Sequence, residues 1–353
     1  MKVAIIGAGA CGLMLATLFE REGIEYKIFN DGKIGNKILA SGNGKCNISN
    51  YMYARDKYHN NRLADIIVGT NQKKLFEYFK ELKIYTKQDN EGRMYPISES
   101  SLSVLNILLN NINENIIDKK INSISKKNDR YYLDDLGSFD KVVIAVGSNA
   151  SYKKDFYFID ICDLNLQFND FKPSLVGFKT NIKLNPISGV RAKCRVSLIN
   201  KNKLIHQEMG EVIFKDNGLS GICVMNLSSY YNHLIDNKDS SITIDLIPDN
   251  EFDDYQSILH PKLLKYITDN KIDVHKFTIP ITSTYDMDVA QVASGGIAIE
   301  EINDNLSLKK DKNIYVGGEI IDIDGVCGGY NLMLAFCSSL VICEDVKNEI
   351  SNK

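Results

Sequence analysis

Two glycine-rich stretches carry the residues whose types and spacing could do chemistry. Gly35 to Asn50 reads GNKILASGNGKCNISN, with Cys46 among glycines, and Tyr315 to Asn331 reads YVGGEIIDIDGVCGGYN, with Cys327 and Tyr330 beside Gly328 and Gly329. Both answer a third motif at the start, Gly7, Gly9, Ala10, Cys11 and Gly12 in VAIIGAGACG. Val3 to Ile6 is a short apolar run that predicts a buried strand, and Leu13 to Glu22 predicts a helix opening at the last glycine. In that order Gly7 permits a tight turn, Gly9 lets the backbone approach a pyrophosphate, and Gly12 lets helix pack on strand. The helix start then offers free N–H groups to phosphates. Together the three stretches point to a flavin dinucleotide.

The elements that must position them follow from texture. Gly23 ends the first helix and Tyr26 to Phe29 supplies the second strand. Asn30 stands where an acid about 20 residues beyond the glycines would hold ribose hydroxyls; its amide oxygen can still accept a hydrogen bond, and Asp31 is next to it. Residues 61 to 120 read as helical, with a turn at Glu91 to Pro96. Residues 120 to 147 read as strands, and VVIAVG at 142 to 147 is a buried strand bringing Ala145 and Gly147 to the cofactor. From Pro173 to Asp245, alternating apolar residues and turns at Pro186 to Gly189 and Asp216 to Gly218 predict an antiparallel barrel or sandwich. A short helical piece is expected over Asp253 to Asp269. Ile279 to Ile299 returns toward the first domain, Ile314 to Val316 is the closing strand, and Tyr330 to Lys347 the closing helix. Gly328 and Gly329 just before that helix would aim N–H groups and the positive helix end at a bound group, such as the anionic pyrimidine side of a reduced flavin. Gly318 and Glu319 end the preceding strand, placing Glu319 to accept from a ribityl hydroxyl.

Composition bounds the function. The chain has 353 residues, 44% hydrophobic and 25% charged, with a net charge of −3. That balance describes an ordinary soluble protein of about two domains and argues against one that coats nucleic acid nonspecifically. No stretch approaches the roughly 20 apolar residues of a membrane span, and the opening residues read as a strand rather than a signal peptide. A cytoplasmic location, with no membrane partner, is the expectation. Eight cysteines, at 11, 46, 162, 194, 223, 327, 337 and 343, form no C-x-x-C pair and have no histidine partners at metal spacing, so reduced thiols and no metal are expected. Two local basic clusters stand out: Lys73, Lys74, Lys80, Lys83 and Lys87, and Arg191, Lys193, Arg195, Lys201 and Lys203.

On these residues the chain resembles the FAD flavoprotein family loosely called BaiN-like or RdsA-like, also known as aminoacetone oxidase family or NAD(P)/FAD-dependent oxidoreductases. Its glycine-arginine-lysine and SGNGRCN pattern is met by Gly35, Asn36 and Lys37, then Ser41, Gly42, Asn43, Gly44, Lys45, Cys46 and Asn47, with Asn36 and Lys45 where arginines are usual. Its GRVFP-type segment is met by Gly92 to Pro96, PSLV by Pro173 to Val176, and GLSG by Gly218 to Gly221. Its double glycine before the return crossing is Gly295 and Gly296. GE, DG and GGYN are Gly318 with Glu319, Asp324 with Gly325, and Gly328 to Asn331. After VVIAVG, where relatives carry ATGG and a glycine-rich loop, SNASYKKDF reads as trimmed, and Asp216 replaces a usual histidine.

The resemblance implies an α/β fold: a glutathione-reductase-type FAD domain, discontinuous over 1–172 and 285–353, with a β-barrel and short helical segment inserted at 173–284. It implies FAD as cofactor and NAD(P)H as transient reductant. The expected function is reduction of a C=C bond, foremost uridine to dihydrouridine in 23S ribosomal RNA. The alternatives are reduction of a small unsaturated molecule, an amine oxidase role, or flavin binding without turnover. For the proton that must accompany hydride delivery, the candidates are Cys46, then Tyr330 and Cys327.

Overall fold

The structure, a computed structural model, describes residues 1–114, 116–151, 160–161 and 164–351. Its contacts divide the chain into two compact units. Among the described residues one comprises 1–114, 116–148, 160–161, 164–171 and 295–351, the other 149–151 and 172–294.

The first unit is built on β1 (Lys2–Ile6), β2 (Glu25–Asn30), β3 (Ile116–Asp118), β4 (Lys141–Ile144) and β5 (Ile314–Val316), side by side in the order β5-β4-β1-β2-β3. All neighbours are parallel, with Val3 opposite both Tyr26 and Lys141 and Val143 opposite Tyr315. Parallel sheets are covered on both faces, which is why VAII and VVI are unbroken apolar runs rather than alternating ones. Val3, Ile5, Val142, Ile144 and Val316 have no exposed surface. Two helices pack together here: α1 (Ala10–Glu22), which Gly23 ends in the left-handed conformation, and α2 (Tyr330–Ser351). A strand near the C-terminus thus lies two places from the first strand, so the end segments of the chain reach one sheet.

The expected helical reading of 61–120 holds for Gln72–Glu81 and Ser101–Asn110 but is broken by short strands. EGRMYP is not all turn: Arg93–Pro96 is the middle strand of a three-stranded antiparallel sheet between Ser49–Asn50 and Thr86–Gln88. The turn itself is confined to Asp89–Gly92, where the Gly92 N–H donates to Asp89 O at 3.1 Å.

The second unit is a seven-stranded sheet whose assigned neighbours are all antiparallel, dominated by the hairpin Arg191–Asn200 and Lys203–Lys215. Strand alternation sends Val196, Leu198, Val212 and Phe214 inward, where Ile242, Ile244 and Leu227 complete the core. Leu227 belongs to a helix, Ile222–Asn232, inside the stretch read as strands and turns. The helix expected over Asp253 to Asp269 spans Pro261–Asp269, opened by His260, whose ring accepts from Lys262 N–H at 3.2 Å. Among the described residues no helix is long and apolar enough to cross a membrane.

Candidate functional site

The first unit gathers the expected residues at the C-terminal ends of its strands, the end where open parallel sheets bind ligands. After β1, the Gly7 N–H donates to Phe29 O at 2.7 Å and the chain turns into α1. The glycines divide their work. A methyl at Gly7 would strike the Ala145 carbonyl, and one at Gly12 would strike the Gly7 carbonyl, so both serve close packing. A methyl at Gly9 would meet nothing within 4 Å. Gly9 caps α1 with no side-chain hydrogen bond, and the first helical bond, Leu13 N–H to Gly9 O, leaves the preceding N–H groups of the first turn without intrahelical acceptors. No acidic residue occupies that turn. Open backbone, uncapped donors and the positive helix end form a cradle that fits a dinucleotide pyrophosphate. The Cys11 side chain is buried against Gly317 and Gly318, and burial pushes its thiol up to about 12.

Asn30 is engaged with the backbone on both sides of its amide. Its side-chain oxygen accepts from Ala8 N–H at 2.8 Å and its amide donates to Gly32 O at 2.8 Å. It therefore clamps the glycine turn to the end of β2, a task that needs a donor and an acceptor in one side chain and that a carboxylate could only half perform. Asp31 is exposed beside it.

The second segment is tied to the first by Gly35 N–H donating to Ala8 O at 2.9 Å. Lys37 donates to Ser148 Oγ at 2.8 Å and pairs with Glu319, both side chains largely out of solvent. The Glu319 carboxylate also lies 3.7 Å from where a methyl on Gly147 would stand. Two of the charged residues expected at the cofactor are thus brought together, and Lys37 neutralises and aims Glu319. Ser41, Gly42, Asn43 and Gly44 form one tight turn, with Ser41 Oγ donating to Ile38 O at 2.7 Å. Lys45 points outward to Glu99 at 3.0 Å.

Cys46 is 0% exposed, its N–H donates to Ser41 O at 3.0 Å, and burial raises its thiol to about 11 against a weaker opposing hydrogen bond with Ser41. The Cys46 thiol has no accessible surface in this structure, and its side chain packs inside the loop. Tyr330 is 5% exposed; its hydroxyl donates to Met52 O at 3.1 Å, its ring meets Tyr58 edge to face at 5.7 Å, and its carbonyl accepts from the Tyr58 hydroxyl at 2.8 Å. Cys327 is only partly buried.

The third segment is stapled onto the second. With its amide oxygen toward α2, Asn47 accepts from Gly329 N–H at 3.0 Å and donates to Ser49 O at 3.0 Å. Asn50 donates to Gly328 O at 3.0 Å. Gly329, at φ 93°, sits against the Ser49 carbonyl where no side chain fits. Asn331 closes its own loop, accepting from Gly325 N–H and donating to Gly325 O, both at 2.8 Å. Gly295 and Gly296 are closely packed: a methyl on Gly295 would lie 2.5 Å from Asp170 O and one on Gly296 would strike Ile320, while Gly295 N–H donates to Asp322 Oδ1 at 3.0 Å. Ala145 likewise belongs to the sheet, its N–H donating to Ile6 O at 2.8 Å. Asn50 and Ser148 escaped the sequence reading. A polar residue directly after the CNIS run was the available sign of Asn50, and none marked Ser148.

Five of the ten basic residues singled out earlier are paired with acids. Lys74 meets Glu344 at 2.8 Å, Lys87 meets Glu99 at 2.5 Å, Arg191 meets Glu211 at 2.9 Å, Arg195 meets Asp249 at 2.5 Å, and Lys201 meets Asp236 at 2.6 Å.

Comparison with known proteins agrees with this architecture. Residues 1–154 match the family model described as HI0933-like protein Rossmann domain, and 172–272 match HI0933-like protein barrel and H2TH domain. A 3-dehydro-bile acid delta(4,6)-reductase of Clostridium scindens is 24% identical, over 96% of this chain and 97% of that protein. A ribosomal RNA dihydrouridine synthase of Escherichia coli is 22% identical, over 97% of each. A solved flavocytochrome c3 fumarate reductase in an open conformation is 11% identical over 99% of this chain and 78% of that one, with a TM-score of 0.46.

Proposed function

The chain belongs to the HI0933-like family of FAD-dependent oxidoreductases, and from that premise we propose that it uses NAD(P)H to reduce an activated C=C bond of a conjugated carbonyl compound. The observation that carries the reading is the meeting of three distant segments at one strand end: the open Gly9 turn, the Lys37–Glu319 pair, and the Gly328–Gly329 loop stapled by Asn47 and Asn50. When bound, FAD would supply the hydride chemistry, accepting one hydride (two electrons with one proton) from NAD(P)H and delivering one hydride to an alkene carbon.

The protein's part is to bind, orient and supply the second hydrogen. The Gly9 turn and the start of α1 would hold the pyrophosphate, and Glu319, aimed by Lys37, would take a ribityl hydroxyl. The neighbouring alkene carbon needs a proton from the protein. Among the three expected donors Cys327 offers the most accessible surface, against 5% for Tyr330 and none for Cys46, so we assign the proton to its thiol, which is restored from water after each turnover.

Charge pairing within both basic clusters and the overall charge of −3 favour a small conjugated substrate. The name of the dihydrouridine synthase relative favours uridine in ribosomal RNA as the second reading. The test is anaerobic: FAD-loaded protein is mixed with NADPH or NADH, then with a 3-oxo-4,6-diene steroid, while dihydrouridine in 23S ribosomal RNA is measured by mass spectrometry in a gene deletion and its complemented strain. Bleaching followed by steroid-driven reoxidation supports the small-molecule reading. Loss of dihydrouridine, restored by the intact gene, moves the assignment to RNA. No bleaching with either nicotinamide overturns turnover and leaves a flavin-binding protein.

A further inference from the structure

Tyr51 is 60% exposed and its neighbour Met52 56%, an unusual placement for large apolar side chains on a segment this firmly held. The Tyr51 N–H donates to Gly92 O at 2.7 Å, and the Gln72 amide donates to the carbonyls of Asn50 at 2.9 Å and Tyr51 at 3.3 Å. Met52 N–H donates to Asn50 Oδ1 at 2.8 Å, and Met52 O accepts the Tyr330 hydroxyl. The backbone is therefore pinned from several sides while the ring is left in water. Behind that ring lies Phe76, with planes 8° apart and centroids 6.0 Å apart, an offset stack that sets the orientation of the Tyr51 face.

Position gives this arrangement a purpose. Asn50, one residue before Tyr51, donates to Gly328 O, and Tyr330, two residues after Gly328, bonds Met52. The exposed pair is thus fastened to the glycine loop that opens α2. Other exposed apolar residues of this unit, such as Tyr85 and Ile97, are joined to each other through Ile97 N–H and Tyr85 O and have no such tie.

We infer that Tyr51, backed by Phe76 and flanked by Met52, is a stacking platform that selects a flat conjugated carbonyl ring and lays it beside the Gly328 loop. The inference rests on the C=C reduction reading above and names the substrate feature that the site reads. A rigid aromatic face binds a flat ring at little cost in ordering, and a steroid enone and a uracil base share the planar carbonyl-conjugated face it would read.

The experiment uses the full FAD-loaded chain and two probes, a 3-oxo-4,6-diene steroid and a single-stranded oligouridylate. Binding is measured calorimetrically and turnover by NAD(P)H consumption for wild type, Tyr51→Ala, Tyr51→Leu and Tyr51→Phe, with flavin content as the check of folding. Tyr51→Leu keeps apolar bulk without a ring plane and stands in where the alanine variant does not fold. The expected result is a Kd and KM about tenfold or more higher for Ala and Leu, little change for Phe, and a kcat that moves far less than KM. Binding by both Ala and Leu variants within about twofold of wild type would overturn the platform. The probe that wild type binds more tightly identifies the source of the ring. A probe that binds without being reduced would refute the reduction reading alone, since the Kd comparison still decides on Tyr51. Wild type that binds neither probe overturns the platform whatever the flavin does.

Discussion

Replacing Gly9 by alanine separates what the fold needs from what the cofactor needs. Gly9 lies at φ −89° and ψ −163°, extended backbone that alanine adopts freely, and its new methyl would touch no protein atom within 4 Å. The flavin-stripped protein should therefore be unharmed, and slightly stabilised by about 0.4–1 kcal/mol because the unfolded chain loses freedom. The bound pyrophosphate is different: the methyl would stand where the backbone must approach the phosphates, lengthening at least one charge-assisted N–H contact worth about 1.5–3 kcal/mol, or roughly a ten- to hundredfold weaker FAD Kd. Gly12→Ala is the opposite control. Its methyl would drive into the Gly7 carbonyl, so it should destabilise the stripped protein by about 1–3 kcal/mol or more. The assays are thermal unfolding of stripped protein and FAD titration by quenching of flavin fluorescence. A Gly9→Ala variant that binds FAD within about threefold of wild type, or that unfolds as early as Gly12→Ala, would refute the assignment of the open turn to phosphate.

Other consequences follow from the site's hydrogen bonds. Asn30→Asp keeps the acceptor for Ala8 N–H but sets a carboxylate against Gly32 O, and should cost about 1 kcal/mol in urea unfolding; equal stability would show that the clamp is idle. Lys37→Met leaves the Glu319 carboxylate without its cation and should lower stability by about 1–3 kcal/mol, while adding Glu319→Gln should recover part of the loss; strict additivity in the double-mutant cycle would contradict the pairing. Cys46 titrates at about 11 in the folded protein against an ordinary value of 9.0. Because the folded value is raised, this stabilising contribution is complete below about pH 9 and is lost as pH climbs through about 11. Iodoacetamide at neutral pH should accordingly leave Cys46 unmodified until the chain unfolds, as peptide mass spectrometry would show; rapid labelling of native protein would restore Cys46 as an accessible donor.

The sequence by itself determined the parallel core and the whereabouts of the cofactor loops. Runs such as VAII and VVI carry no polar alternation, so they specify strands covered on both faces, and a glycine turn between strand and helix admits few other structures. What each glycine and polar residue does there was decided only by tertiary packing. Gly7, Gly12, Gly295 and Gly296 look like Gly9 in sequence, yet their missing side chains make room for protein carbonyls, which for all but Gly12 arrive from other segments of the chain. Asn30 read as a weakened ribose contact because its partners, Ala8 N–H and Gly32 O, come together only when the turn folds back on β2. The helix Ile222–Asn232 escaped because a short apolar run takes its conformation from the sheet it covers rather than from its own periodicity. Cys46 carried the same ambiguity: a thiol among glycines is reactive or inert according to burial, and burial is a property of the whole fold.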